Sequence, residues 1–158
     1  MPGNILLAQY DQLNSWNPSE KKTTHIVEGI GADALFRSIG GFAQISPTEV
    51  VVIDSYNACL RNVNRITLQT EQLVGQCESS GYVDGVGNNS RFNRPEHVIK
   101  DLMSPNHLMV TDQDNNGNAV LRSVDLVTLN LTLFVTMPDH MDNTDIGITQ
   151  QEDSGNIF

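Results

Sequence analysis

The chain has 158 residues, 39% of them hydrophobic, and its 19 Asp and Glu residues outnumber 9 Lys and Arg residues to give a formal net charge of -10. An acidic surface repels the phosphate backbones that nucleic-acid-binding proteins attract with clustered Lys and Arg, so we expect no nucleic acid partner. No apolar run approaches the roughly 18 residues of a membrane-spanning helix, and the sequence therefore predicts no membrane span.

Strand signals dominate the rest of the chain. Residues 50–53 form a β-branched run typical of a strand buried on both faces, and residues 129–135 alternate between two unlike faces. Glycines around residues 32–38 limit any helix there to one turn. Turn-forming Pro, Asn, Asp and Gly separate the strands. The pattern predicts an all-β fold with two sets of four strands, at 41–45, 49–54, 58–66 and 71–77, and at 97–101, 107–112, 118–126 and 129–136.

The two sets of strands belong to an internal repeat. Residues 28–36 superimpose without a gap on residues 84–92, and both stretches carry an acidic residue, a Gly-x-Gly unit and a final Phe. A Leu-Arg-x-Val run at 60–63 recurs at 121–124. A repeat of this length favours stacked or radially arranged supersecondary units, and for a β protein these are antiparallel four-stranded propeller blades.

Four polar residues each precede an apolar strand and mark the turn that leads into the equivalent strand of successive repeats: Asn4, Thr48, Asn106 and Asn156. The sequence therefore predicts about three blade equivalents in a single array. We expect a partial blade at 1–28, complete blades at 29–80 and 81–136, and the start of a further blade at 137–158. Such an array is an incomplete ring with unpaired edges, which propellers avoid by closing.

The second copy resembles the NHL repeat in its run Gly81-Tyr82-Val83-Asp84-Gly85 and in the later Phe92, Pro95, Val110-Thr111-Asp112 and Val120-Leu121-Arg122. The first copy matches more loosely. The resemblance implies propellers that are commonly six-bladed and serve as binding platforms, as sensors and in a minority as enzymes. We expect packing roles for the residues that carry the repeat signature: Gly29, Phe36, Asp54, Asp84, Gly85, Phe92, Pro95 and Asp112.

Cys59 and Cys77 flank a predicted hairpin. If Ile66 lies opposite Thr70, the same register places the two cysteines opposite each other, within disulfide range. Because they are the only cysteines, we expect a disulfide, which would indicate an extracellular or luminal setting. The alternative is a pair of reduced core cysteines in a cytoplasmic protein.

Other polar motifs carry weaker signals. Asn88 and Asn130 begin glycosylation sequons, which chance alone would supply in a chain this rich in Asn, Ser and Thr. Residues 112–117 imitate half of a calcium loop, with Asp112, Asp114 and Asn116 as weak ligand candidates, but Ser123 stands where the loop needs Glu. We interpret this segment as a polar hairpin turn.

Four scattered histidines, His25, His97, His107 and His140, show no metal-ligand spacing, although His97 lies near the predicted innermost strand. No nucleophile elbow or phosphate-binding loop is legible. The sequence therefore predicts no catalytic residues and no cofactor, with calcium or a central metal as open alternatives.

These observations favour a non-enzymatic extracellular platform that binds a protein or a small ligand, with loops at 55–58 and 113–118 facing the partner. One alternative is a metal-dependent enzyme of the amidating-lyase or lactonase kind, and another is a cytosolic NHL adaptor. Two copies could close a six-bladed ring as a homodimer, or the chain could continue in a longer protein.

Overall fold

The computed structural model describes residues 36–67 and 69–138 and, before them, the backbone of three short strands. Among these described residues, twelve strands form three antiparallel sheets. The first sheet contains β1 (Ile5–Gln9), β2 (Gln12–Asn17) and β3 (Lys22–His25), in that order. Among the described residues, no helix is long and apolar enough to cross a membrane.

The second sheet contains β4 (Ile39–Gln44), β5 (Glu49–Asp54), β6 (Cys59–Asn64) and β7 (Thr70–Val74), each paired with the next. The third contains β9 (Val98–Lys100), β10 (His107–Gln113), β11 (Ala119–Asp125) and β12 (Asn130–Thr136), with β8 (Gly85–Val86) added beside β12. A short 3-10 helix, Gly87–Asn89, follows β8. We call the second and third sheets the second and third blades. The described sheets form an open, partial propeller rather than a closed ring.

The eight strands predicted for these two blades are confirmed to within a few residues, and each described sheet lies inside one predicted segment. The sequence did not reveal β8, which has two residues. Residues 36–38 are not helical, and the remainder of the helix considered at 32–38 lies outside the described residues. The boundaries at 28, 80 and 136 stay predictions, and most of the segment 137–158 also lies outside the described residues.

Both blades carry the same irregularity in their outer pair of strands. Leu60 lies opposite Val74 but Arg61 lies opposite Gln72, so Leu73 is an extra residue. The third blade repeats this, because Leu121 lies opposite Val135 while Arg122 lies opposite Leu133. A bulge of this kind bends and twists the strand that carries it. The repeat in sequence is therefore a repeat in backbone geometry.

The two blades pack face to face through one apolar cluster. The second blade contributes Val51, Ile53, Leu60 and Val74, and the third contributes Phe92, Val98, Leu108, Val110, Val124 and Leu131. Gly75, with a φ of 83°, makes this packing possible, because a Cβ there would lie 2.7 Å from the Phe92 ring. Phe92 thus wedges between the blades, as the repeat pattern predicts.

A buried ion pair links three segments within the second blade. Arg61 Nη2 lies 3.1 Å from Asp54 Oδ2, and both side chains are buried. The Arg61 guanidinium stacks over the Phe36 ring at 5.1 Å. The backbone N–H of Arg37 donates to Asp54 Oδ1 at 3.1 Å. Asp54 therefore joins β6 to the segment that leads into β4.

The third blade contains the same unit. Arg122 Nη1 donates to Asp112 Oδ2 at 3.1 Å, and the guanidinium lies 5.4 Å from the Phe92 ring. The backbone N–H of Arg94 donates to Asp112 Oδ1 at 2.7 Å. Here the partly exposed Asp84 adds a further carboxylate, 2.6 Å from Arg122 Nη2. We call each set, Phe36–Asp54–Arg61 and Phe92–Asp112–Arg122, a blade unit.

Burial makes the pairing within a blade unit obligatory. Desolvation raises the pKa of Asp112 above its ordinary value, although the N–H groups of Arg94 and Gln113 and the Arg122 guanidinium oppose the rise. A carboxylate in such a site is tolerated only with a cation and hydrogen-bond donors beside it. The Asp and Arg positions that recur in the sequence are therefore those whose opposite charges stabilise each other in the buried site.

The disulfide is confirmed, since Cys59 and Cys77 are bonded with their Cα atoms 5.0 Å apart. The register used to predict it is wrong. Thr70 lies opposite Val63 rather than Ile66, and β7 ends at Val74. Cys77 reaches Cys59 because the chain turns back after Gly75, where the N–H of Glu78 donates to the Asn57 carbonyl. The disulfide therefore links the segment after β7 to the start of β6.

The blade unit generates a stability prediction. Replacement of Arg122 by Ala leaves the Asp112 carboxylate buried without its cation, and we expect urea unfolding to show a loss of about 3–5 kcal/mol. Arg94→Ala is the matched control, because the Arg94 side chain is 57% exposed and its ion pair with Glu96 is worth less than about 1 kcal/mol. Equal losses in the two variants would contradict the role assigned to Arg122.

Candidate functional site

A polar cleft opens where β4 and β9, the innermost strands of the two blades, begin side by side. Its volume is about 700 Å³, within the range of small-molecule sites. Its walls come from the start of β4, the turn after β5, the segment leading into β9 and the end of β10. The lining residues of this inter-blade cleft are Ser38, Ile39, Gly40, Ser55, Tyr56, Ser80, Asn93, Arg94, Glu96, His97 and Gln113.

Glycine allows the floor of the cleft to form. A Cβ at Gly40 would lie 2.4 Å from Ser55 Oγ and 2.5 Å from the Glu96 carbonyl oxygen, so no larger residue fits without displacing a neighbour. The adjacent Gly41 has more room, because its nearest contact would be 3.4 Å. The backbone of the third blade therefore lies close against that of the second blade at Gly40.

Two buried polar atoms on the cleft walls lack a hydrogen-bond partner. Ser55 Oγ and His97 Nδ1 are both inaccessible and unpaired, and both residues line the cleft. The His97 backbone is fixed, since its N–H donates to Thr111 Oγ1 at 3.0 Å and its carbonyl accepts from the Thr111 N–H at 3.0 Å. Native proteins pair nearly all buried polar atoms, with protein, water or ligand. Both atoms are inaccessible in this geometry, so the candidate ligand contacts are the accessible polar side chains of the lining, Tyr56, Ser80 and Arg94.

The charge of the cleft is balanced. Among its lining residues the one cation, Arg94, lies 3.0 Å from the carboxylate of Glu96. The remaining polar groups are hydroxyls, amides, one imidazole and the ring of Tyr56, which is 77% exposed. A site with no net charge attracts neither anions nor cations strongly. The arrangement suits a neutral, hydrogen-bonding ligand.

The two loops predicted to face a partner are only partly in the cleft. Ser55 and Tyr56 from one loop and Gln113 from the other line it. Asn57 instead donates from Nδ2 to Asp54 Oδ2 at 2.8 Å and so supports a blade unit.

The calcium-loop candidates do not converge on one point. The carboxylate of Asp112 is held within its blade unit, whereas the carboxylate of Asp114 accepts the N–H groups of Asn116 and Asn118, both at 2.8 Å. Slight burial raises the pKa of Asp114, but hydrogen bonds from Asn118 and Asn116 outweigh it and leave the pKa below its usual value. The segment is the hairpin turn between β10 and β11.

The histidines do not form a metal centre in the described part of the chain. No group of three or more His, Cys, Asp or Glu side chains there could hold a metal ion. His97 lies immediately before β9 and His107 begins β10, the side chain of His25 is not described, and His140 lies outside the described residues. A central metal thus stays an open alternative that the described residues do not support.

The two sequons differ in their surroundings. Asn88 is exposed, but its Oδ1 accepts from Gln72 Nε2 at 2.6 Å, and Ser90 of the same sequon is buried with its hydroxyl donating to the Gly87 carbonyl. Asn130 begins β12 and is half-buried. Glycosylation at either position stays a prediction.

Comparison of the two repeats would have pointed to cleft residues that the sequence analysis missed. Ser38 and Gly40 of the second blade occupy the positions of Arg94 and Glu96 in the third, whereas Phe36 and Phe92 are identical. The three positions of the blade unit are the same in both copies, whereas these positions that line the cleft differ. That contrast was available in the sequence as a signal for the site.

The fold and the cleft define a partial β-propeller with a polar site between two blades, and solved structures share this fold. No protein-family model and no curated protein matches the chain. Two auxiliary nutrient binding proteins are similar in structure, one from Bacteroides thetaiotaomicron (TM-score 0.60, 15% identity, 85% of this chain and 33% of that chain) and one from Bacteroides ovatus (0.58, 18%, 85% and 34%).

A candidate phosphatase from Bacteroides thetaiotaomicron is similar as well (TM-score 0.62, 14% identity, 85% of this chain and 34% of that chain). The chain therefore spans about a third of the length of each of these proteins. At such low identity the likeness shows the propeller fold alone, and proteins with different descriptions share it.

The cleft generates a prediction about its floor. We expect Gly40→Ala to lower the melting temperature and to change the tryptic or hydrogen-exchange pattern of residues 93–97, because its Cβ would press on Ser55 and on the Glu96 backbone. Gly41→Ala is the matched control and should be close to the parent protein. Equal tolerance of both substitutions would show that the two strands do not approach as described.

Proposed function

We propose that this chain is a non-enzymatic binding module of an NHL-type propeller, and that it holds a small, neutral, polar ligand in the inter-blade cleft. The observation that carries the proposal is the cleft itself, about 700 Å³ in volume and lined by hydroxyl, amide and imidazole side chains beside the paired Arg94 and Glu96. The exposed ring of Tyr56 offers an apolar contact at the rim.

The cleft supports binding better than catalysis. Ser55 and His97 are a nucleophile and a base by type, but neither side chain hydrogen-bonds the other, because both atoms are unpaired. A nucleophile activated by a base needs that contact, and a third group that orients the base. A metal-dependent reaction would need a ligand cluster that the described residues do not contain.

The proposal places the module outside the cytoplasm. The disulfide between Cys59 and Cys77 favours an oxidising compartment and disfavours the cytosolic adaptor, whose cysteines would be free. The auxiliary nutrient binding proteins of similar structure support a binding role. The NHL assignment is supported by the blade unit, which gives physical roles to the Phe, Asp and Arg of the repeat.

The test is a thermal-shift and calorimetric screen of the intact chain against neutral monosaccharides, short oligosaccharides and uncharged dipeptide amides. We expect one chemical class to raise the melting temperature with one site per chain. Ser80→Ala should then weaken its binding roughly 2–10-fold through loss of one hydrogen bond, because Ser80 is exposed on the cleft wall. Tyr56→Ala should weaken it too.

The matched control is Ser104→Ala, which removes a hydroxyl in the turn between β9 and β10, away from the lining residues. The proposal fails if Ser80→Ala and Ser104→Ala bind the ligand equally. It also fails if no neutral compound binds while a stoichiometric metal ion is found in the purified protein, since that result favours the enzyme alternative.

A further inference from the structure

The disulfide joins two segments that both line the inter-blade cleft. Cys59 follows the turn between β5 and β6 that carries Tyr56, and Cys77 lies in the segment after β7 that carries Ser80. Tyr56 and Ser80 are both exposed, and they are two of the three candidate ligand contacts. We call residues 76–81 the linker segment. One covalent bond therefore connects the two pieces of chain that carry these contacts.

Two kinds of tie hold the linker segment. At its ends, the N–H groups of Gln76 and Gly81 donate to carbonyl groups of residues 90–92, in the segment that leads into the third blade, at 3.1 and 2.8 Å. Between these ends, the N–H of Glu78 donates to the Asn57 carbonyl at 2.8 Å, in the turn of the second blade. The disulfide and this hydrogen bond therefore set how the middle of the linker segment lies on the second blade.

The backbone on both sides of the disulfide is in an unfavourable conformation. Glu78, next to Cys77, has a φ of 63°, and Ala58, next to Cys59, has a φ of 54°. Residues other than glycine rarely adopt this left-handed region, and they persist there when the surrounding structure holds them. In the described part of the chain, two of the three such residues flank this bond. The disulfide is therefore placed to hold both turns in conformations that the chain alone disfavours.

The third blade folds with valine at the place of Cys59. Residues 118–120, Asn-Ala-Val, precede the shared Leu-Arg pair as residues 57–59, Asn-Ala-Cys, do in the second blade. Val120 and Cys59 both lie opposite the aspartate of their own blade unit, and both are completely buried. A blade therefore does not need a cysteine here in order to pack, and the disulfide has a separate role.

We propose that the Cys59–Cys77 disulfide positions the cleft wall that carries Tyr56 and Ser80, so that the affinity of the cleft depends on the oxidation of the two cysteines. Without the bond, the strands of the second blade keep their pairing, but the turn and the linker segment separate and the two contacts no longer face one ligand. The statement about affinity rests on the proposed function, whereas the statement about position does not.

Residue-resolved hydrogen exchange of the intact chain, before and after treatment with dithiothreitol, gives the first arm of the test. The two thiols of the reagent are oxidised to a cyclic disulfide, and their electrons and protons convert Cys59 and Cys77 to free thiols. We expect the amide of Glu78 to exchange at least about tenfold faster after reduction, because it donates across the joint that the disulfide holds. The amide of Gly81 is the matched control, since it donates to the Phe92 carbonyl and should keep its rate.

Binding gives the second arm. The screen of neutral sugars and uncharged dipeptide amides is repeated with a Cys59→Val/Cys77→Ser variant, which takes at position 59 the residue that the third blade uses. A compound that binds the parent protein should bind this variant at least about tenfold more weakly, because two contacts are displaced. Val63→Ala is the matched control and should leave that affinity unchanged, because Val63 is buried near the other end of β6 in a separate apolar cluster.

Three results would overturn the proposal. One is an exchange rate of the Glu78 amide that does not change on reduction. Another is acceleration of the β5 amides to the same degree as Glu78, because the disulfide would then hold the fold rather than the cleft wall. The third is a compound that binds the parent protein and the double variant equally. If no compound of the screen binds the parent protein, the proposed function fails, and the exchange arm still decides whether the disulfide positions the wall.

Discussion

One buried arginine in each described blade holds together segments that are distant in sequence. Arg122 pairs with Asp112 on the adjacent strand and lies against the ring of Phe92, while Asp112 accepts the N–H of Arg94. A buried charge pair gains little stability over apolar side chains, but its members cannot be separated cheaply. The unit therefore fixes how the segment entering each blade sits on that blade's strands, and the cleft is built on that segment.

Repeated and unrepeated positions have different roles, because the repeated positions build the scaffold and the unrepeated positions line the cleft. The repeated Phe, Asp and Arg residues position the segments at 36–38 and 92–97. The unrepeated residues on those segments, Ser38 in one copy and Arg94 and His97 in the other, then meet across the cleft. Two copies of one scaffold thus form an asymmetric site, because the two walls carry different side chains.

The strands, the blade order and the disulfide could be predicted from the sequence because they depend on local patterns and on the repeat. The β-branched run at residues 50–53 predicts a buried strand, and β5 spans Glu49–Asp54. The register of β6 and β7 could not be predicted, since the turn between them is wider than the sequence pattern suggests: Thr70 lies opposite Val63, and the N–H groups of Ile66 and Thr67 donate to Asn64 Oδ1 within the turn. The cleft was missed because it depends on which strand ends meet, and that is set by the close approach at Gly40.

Residue-resolved hydrogen exchange tests the central role of the blade units most directly. The amide groups of Arg37 and Arg94 lie outside the strands, and each donates to the buried aspartate of its own blade. If the blade units hold these segments in place, both amides exchange as slowly as those of β5 and β10, because they open only when the blade unfolds. Exchange as fast as that of ordinary exposed loops would contradict the account.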